Sequence, residues 1–337
     1  MRKENLMFFK NFKIKKTILF LLLLLIMPIT VHAYSDYIIP GGENIGIELE
    51  ASGVMVVGTY EVGSQNPASE AGLKVGDKIT AVNETAVTTI NEMVQAIDQN
   101  KSKGEVEITF VRGKDTKKTT LKLYQDKDQV YKTGLYVKDR ITGIGTLSFI
   151  DPNTKLFGAL GHEIIEKSTG QMLEIKDGKI FESTVTDIVP SENGTPGEKN
   201  AKYNYNQVYG SVSENTEKGI FGTYSSSLPD KKQYKVAVPS SIKLGKATIR
   251  TVISGNTAEE FEINILKVNE NDKTKNILFE ITDDRLLQAT GGIVAGMSGS
   301  PILQGDNMIG CITHVVIDDP KRGYGIFITN MLEEAEN

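Results

Sequence analysis

The 337-residue chain has one cysteine, three histidines and no tryptophan. A single cysteine, Cys311, excludes a disulfide framework within the chain and any multi-cysteine zinc site. The histidines are His32, His162 and His314; once a leader containing His32 is removed, a three-histidine metal centre is excluded as well. No metal or organic cofactor is implied. Ten prolines stand against 32 glycines, a balance that leans towards turns and strands. Hydrophobic residues at 39% and charged residues at 24% give an ordinary globular composition with enough apolar material for a core. At about 150 residues per domain, the length suggests roughly two folded units.

A strong positive charge is also missing. Six of the 38 basic side chains but only one of the 43 acidic ones fall within residues 1–33, which leaves 32 against 42, a net charge of −10, for the rest. An acidic body argues against non-specific binding to nucleic acid. The basic start (Arg2, Lys3, Lys10, Lys13, Lys15, Lys16) leads into an apolar run over 18–27, then Pro28 and Val31-His32-Ala33. That is the order of a secretory leader: basic region, apolar region, small-residue exit. The run is shorter than the ~20 residues of a membrane span, which favours a cleaved signal peptide at 1–33 over an N-terminal membrane anchor.

Residues 40–124 read as one compact unit. Gly46-Ile47-Glu48-Leu49 and the segment 54–58 have strand character, a small helix over 67–71 ends at Gly72, and the strand 78–82 runs into an Asn83-Glu84 turn. Thr89 and Glu92 have the spacing of a capping box. Behind them Ile90, Met93, Val94 and Ile97 share one helical face. Val106, Ile108 and Phe110 alternate with polar residues as in a half-buried strand. The string Ala68-Ser69-Glu70-Ala71-Gly72-Leu73-Lys74-Val75-Gly76-Asp77-Lys78-Ile79, with Asn44-Ile45-Gly46-Ile47 before it and the 90–97 helix after it, resembles a PDZ domain. The resemblance implies that Ile45, Gly46, Ile47 and Glu48 form a peptide site, with backbone N–H groups holding a chain-terminal carboxylate and a strand edge accepting an extended peptide.

Residues 130–337 are rich in short alternating segments separated by Gly/Pro turns, such as Phe261-Glu262-Ile263-Asn264-Ile265 and Ile277-Leu278-Phe279-Glu280-Ile281. Many short strands without long helical periodicity mean a mainly β unit, a barrel or a sandwich. Two motifs carry chemistry. Gly161-His162-Glu163 follows an apolar run and puts a histidine at a strand end. Gly296-Met297-Ser298-Gly299-Ser300-Pro301 puts a serine in a tight glycine-flanked turn. A serine hydroxyl becomes nucleophilic when a histidine takes its proton, and a carboxylate can fix the imidazole tautomer. Small residues around Ser298 would let the N–H groups of Gly296 and Ser298 converge on an oxyanion. His162, Asp283 and Ser298 occur in the chain order of chymotrypsin-like proteases, whereas in an α/β-hydrolase the serine comes first.

This second unit resembles the stage IV sporulation protein B family of serine peptidases. The matching stretches include Gly158-Ala159-Leu160-Gly161-His162, Pro196-Gly197-Glu198-Lys199, Gly219-Ile220-Phe221-Gly222, the run 290–302 around Ser298, and Thr313-His314-Val315. The resemblance implies a chymotrypsin-like double β-barrel with His162 as base, Ser298 as nucleophile and Asp283 as acid. Thr313, on the strand after the serine, would support the pair from behind. It further implies a protease exported across the forespore inner membrane into the intermembrane space, which cleaves itself and a membrane-associated regulator of an intramembrane protease. The PDZ domain would govern docking of peptides, leader segments or substrate tails.

Alternatives stay open at this point. Asp187 rivals Asp283 as the acid, His314 rivals His162 as the base although on its apolar strand it reads rather as structural, and Cys311 reads as a buried small hydrophobe. A different class of function, a non-catalytic exported peptide-binding or signalling protein with a decayed protease domain, competes with the peptidase.

Overall fold

The computed structural model describes residues 34–126 and 130–336. The leader expected over 1–33, and Lys127, Asp128 and Gln129 of the polar stretch between the two units, lie outside the described residues. Among the described residues no helix is long and apolar enough to cross a membrane.

Twelve strands build two closed antiparallel barrels, so the expected double barrel is present. The first barrel uses β1 (Asn44–Thr59), β2 (Leu135–Ile150), β3 (Leu156–Ala159), β4 (Ile175–Val189), β5 (Glu198–Thr216) and β6 (Gly219–Tyr224). Its ladder runs β1-β2-β3-β6-β5-β4 and returns to β1. The second uses β7 (Gly245–Thr251), β8 (Glu259–Val268), β9 (Ile277–Ile281), β10 (Pro301–Gln304), β11 (Asn307–Val315) and β12 (Arg322–Phe327). Its ladder runs β7-β8-β9-β12-β11-β10 and closes on β7. Closure removes the exposed edges that an open sheet would present.

Period-two patterning explains the two cores. Phe261, Ile263 and Ile265 of β8 and Ile277, Phe279 and Ile281 of β9 turn inward and are buried, with Glu262 and Glu280 between them facing outward. Ile45, Ile47 and Leu49 of β1 do the same in the first barrel, against Phe157, Ile180 and Ile220.

A third core belongs to a small module inserted between β1 and β2. Its strands Lys78–Val82, Glu105–Arg112 and Asp115–Lys122 and its helix α1 (Ile90–Asn100) enclose Val54, Val56, Ile79, Met93, Ile97 and Ile108. The capping box is formed: the Thr89 hydroxyl accepts from the Glu92 N–H and the Glu92 carboxylate accepts from the Thr89 N–H. Val94 departs from the expected face; it is 50% exposed, and Ala96 is buried beside Met93 and Ile97 instead. Asn83 turns the chain at φ 45° and its side-chain oxygen accepts from the Glu107 N–H.

The sheet pairing divides the unit expected over residues 40–124, because part of its first strand belongs to the peptidase barrel. β1 is a single strand with two allegiances: residues 44–50 lie in the first barrel, whereas Val54–Thr59 belong to the module. Along 44–50 it is hydrogen-bonded to β2 on one side and, from residue 45, to β4 on the other. The peptide site expected at Ile45, Gly46, Ile47 and Glu48 is therefore corrected. Strand addition needs a vacant edge, and both edges of this segment are taken.

Candidate active site

The histidine turn comes off the end of β3 in the first barrel. Leu160 and Gly161 follow one another in the left-handed region, at φ 70° and 73°. For a leucine that conformation costs about 1–2 kcal/mol, so the surroundings must hold it. Leu160 is buried in the first core, and a Cβ on Gly161 would lie 2.9 Å from the Thr313 methyl group on β11. The turn thus rests on the second barrel and presents His162 to the space between the barrels. The His162 Nδ1 lies 2.8 Å from the Glu163 carbonyl oxygen. With Nδ1–H donating to that carbonyl, Nε2 carries the free lone pair, the tautomer a general base needs.

The serine turn precedes β10 of the second barrel. Gly296 and Gly299 adopt φ 95° and 93°. Gly299 is pressed against backbone: a Cβ there would fall 2.3 Å from the Thr146 carbonyl oxygen and 2.5 Å from the Leu160 nitrogen. Thr146, on β2, grips the turn twice. Its hydroxyl donates to the Gly296 carbonyl (2.7 Å) and its N–H to the Ser298 carbonyl (3.1 Å). With those carbonyls turned towards Thr146, the N–H groups of Gly296 and Ser298 have no acceptor among the described residues. Both residues line the cleft. Two unsatisfied donors at a cleft wall are what an oxyanion site requires.

His162, Ser298, Gly296 and Glu163 face one cleft of about 640 Å³ between the barrels. Its walls include Ile144 on β2 and Ile164 beyond the histidine. Within it the serine hydroxyl donates to the Thr313 carbonyl (3.1 Å) while the histidine ring is bound to Glu163, so the two side chains share the cleft without bonding each other. Thr313 also anchors itself, its hydroxyl donating to the Tyr324 carbonyl on β12. The His314 ring lies 5.5 Å from that of His162, centroid to centroid, and its Nδ1 is buried with no partner. Burial first, and His162 second, push its imidazole down to about 4, so it is neutral at physiological pH.

Asp283 is not brought to this cleft, and its expected role as the acid is corrected. It is the N-cap of α2 (Asp284–Thr290): its carboxylate accepts from the Arg285 N–H at 2.9 Å and the Glu262 N–H at 3.3 Å, and pairs with the Arg285 guanidinium at 3.0 Å. The Arg285 hydrogen bond holds the carboxyl below its ordinary range. Asp187 is exposed on β4, opposite Asn200, and does not line the cleft either. The Glu163 carbonyl occupies the hydrogen-bonding role in which a carboxylate was expected.

Three further residues escaped the sequence. Thr146 sits in an ordinary strand alternation and carries no motif. Asn215 accepts from the Ile164 N–H and donates to the Ile164 and Leu173 carbonyls, fixing the backbone just beyond His162. Lys199 is 3% exposed, with its Nζ 3.0 Å from the Thr251 hydroxyl, which also receives the Ser300 hydroxyl at 3.0 Å. Its stem lies against Gly296, and burial without a carboxylate partner pushes its ammonium down to about 7. Only Lys199 left a trace, as part of the Pro196-Gly197-Glu198-Lys199 match.

Paired barrels with a histidine turn on one and a glycine-held serine turn on the other define a serine peptidase, and comparison with known proteins agrees. Residues 129–332 match the model of the SpoIVB peptidase S55 family, and residues 44–123 match a PDZ domain. The chain belongs to the SpoIVB peptidase S55 family. Among solved structures it is similar to the PDZ domain of an SdrC-like protein from Listeria monocytogenes, at 27% identity over 26% of this chain and 90% of that one, with a TM-score of 0.23. It is also similar to the active form of the Rv3671c protease from M. tuberculosis, at 13% identity over 58% of this chain and 74% of that one, TM-score 0.33. The inactive form of that protease matches at 14% identity over 58% and 85%, TM-score 0.30. No curated protein matches the chain significantly.

Proposed function

We propose that this chain is an exported serine endopeptidase of sporulation signalling, which cleaves itself and then a membrane-associated regulator of an intramembrane protease in the space between the forespore membranes. The family's name supports the sporulation role, and the basic-then-apolar start of the chain supports export. The PDZ module supports docking of a peptide or protein substrate.

The reaction follows from the cleft. The Ser298 hydroxyl rotates away from the Thr313 carbonyl about χ1, a move between staggered wells, and hands its proton to His162 Nε2 as Oγ attacks the scissile carbonyl. The oxyanion is received by the Gly296 and Ser298 N–H groups. His162 then gives the proton to the departing amine, and water repeats the sequence on the acyl-enzyme. The Glu163 carbonyl holds the ring and its tautomer throughout. Being neutral, it stabilises the imidazolium less than a carboxylate does.

One observation carries this reading: His162, Ser298 and two unbonded N–H groups meet in a single cleft. The test sets the leaderless chain beside its Ser298→Ala form and treats both with a serine-reactive fluorophosphonate. Labelling and self-cleavage in the first but not the second are expected. Equal labelling removes the nucleophile assignment, and identical fragments by mass spectrometry remove self-cleavage.

A further inference from the structure

β2 is paired on only one side for most of its length. Its partner β1 follows it from Leu135 to Thr146, but β3 meets it only at Leu147, Phe149 and Ile150. The opposite edge over 135–145 has no strand beside it among the described residues. The N–H of Thr146 points to that side, where it bonds Ser298, and the N–H of Leu147 points to β1, where it bonds Glu43. Strand alternation then turns the backbone groups of Ile144, Thr142, Arg140 and Lys138 towards the vacant side. All four residues line the cleft that holds Ser298 and His162. The far end of this edge meets the module, where the Asp139 carboxylate accepts from the Ile90 N–H at the start of α1 (2.7 Å).

We propose that the vacant edge of β2 receives the substrate polypeptide as an added strand, on the C-terminal side of the bond being cut, and leads it from Ser298 to the module. This rests on the peptidase reading above. The direction comes from chemistry: the histidine protonates the departing amine, so the chain beyond that amine lies on the histidine side of the serine. The cleft leaves Ser298 on that side, past His162 and Glu163. From Ile144 to Lys138 the edge spans about 20 Å, enough for roughly six extended residues. The charged side chains along the path are already paired, Lys138 with the buried Glu166 at 3.0 Å and Arg140 with Glu50 at 3.1 Å, so main-chain hydrogen bonds supply the grip. The module thereby measures how much chain follows the scissile bond.

The test leaves the protein unaltered. A pool of randomised peptides about sixteen residues long, more than twice the length of the edge, is incubated with the leaderless chain, and cut positions are read by mass spectrometry. Cuts are expected where about six or more residues follow, falling off steeply nearer the C-terminus. The best-cut member is then remade with one backbone N-methyl group at each downstream position in turn. Losses in kcat/KM of about two- to tenfold are expected at every second position, as one main-chain hydrogen bond is removed each time. Fluorophosphonate labelling of Ser298 is measured alongside. Labelling with cuts indifferent to downstream length, or with N-methyl effects lacking the alternation, overturns the added strand and leaves the peptidase standing. Labelling without any cut also overturns it, and absence of both overturns the two readings together.

Discussion

The two turns that frame the cleft are built to different standards. The serine turn is fixed from outside: Gly299 has no room for a Cβ against Thr146 and Leu160, and two hydrogen bonds from Thr146 hold the carbonyls of Gly296 and Ser298. The histidine side chain is fixed from inside, by the carbonyl of the next residue. Placement of the proposed oxyanion donors thus rests on packing between barrels, whereas the proposed base depends on a single local hydrogen bond. The difference teaches where tolerance to mutation lies, because a rigidly placed donor pair loses function through geometry and a locally tethered ring loses it through chemistry.

Exchanging the reactive groups breaks the comparison most severely. Ser298→Ala and His162→Ala are each expected to lower kcat on the order of 10⁵- to 10⁶-fold, and the double variant to lose little more, as measured on a single cleavable peptide. Gly299→Ala comes next. Its methyl group meets main-chain atoms that cannot swing aside, so the turn shifts and kcat falls about 10²-fold with a lowered Tm. Thr146→Val keeps the shape but leaves the Gly296 carbonyl without its donor; kcat drops about tenfold while KM holds.

Lys199→Met separates support from chemistry under the serine turn. In the folded protein the ammonium titrates at about 7, and in the unfolded chain near its ordinary value of about 10.4. Between those values the unfolded state binds more protons, so wild-type stability rises as pH increases from about 7 to about 10. The methionine variant is expected to lack that slope and to be the more stable protein at pH 6, by urea unfolding across the series. The smallest effect on turnover belongs to Asp283→Ala. Loss of a helix cap costs about 1 kcal/mol of stability, with kcat changing less than about twofold. A fall of several powers of ten would restore Asp283 to the chemistry.

How much of this was legible in the chain depends on whether the signal was local. The Thr89/Glu92 cap, the alternation in β8 and β9 and the glycines around Ser298 all act within a few residues, and each appears in the fold where its chemistry places it. The pairing of His162 and Ser298 in one cleft was reached through their chemistry rather than their spacing. Asp283 misled because an N-cap and a catalytic carboxylate look alike in a sequence; Thr282-Asp283-Asp284 ahead of Leu286 and Leu287 is also a helix start. The segment 45–48 misled for a topological reason. Its neighbours on β4 and β2 are more than ninety positions away, and no local pattern says whether a strand's edges are vacant. Val94 shows the limit of periodicity, since the position fits the helical face and the packing of the module leaves it outside.

The chain leaves the first barrel after Ala51 and re-enters it at about Arg140 on the adjacent strand, so the module is the elaborated tip of a hairpin. A fragment begun at residue 130, the expected start of the peptidase unit, would be a cask short of one stave: β1 would be missing, and β2 and β4 would each be left with a raw margin. Shortening this protein therefore calls for splicing the tip closed rather than trimming from the front, and any inhibitor that pries β1 loose would disarm the enzyme far from its serine.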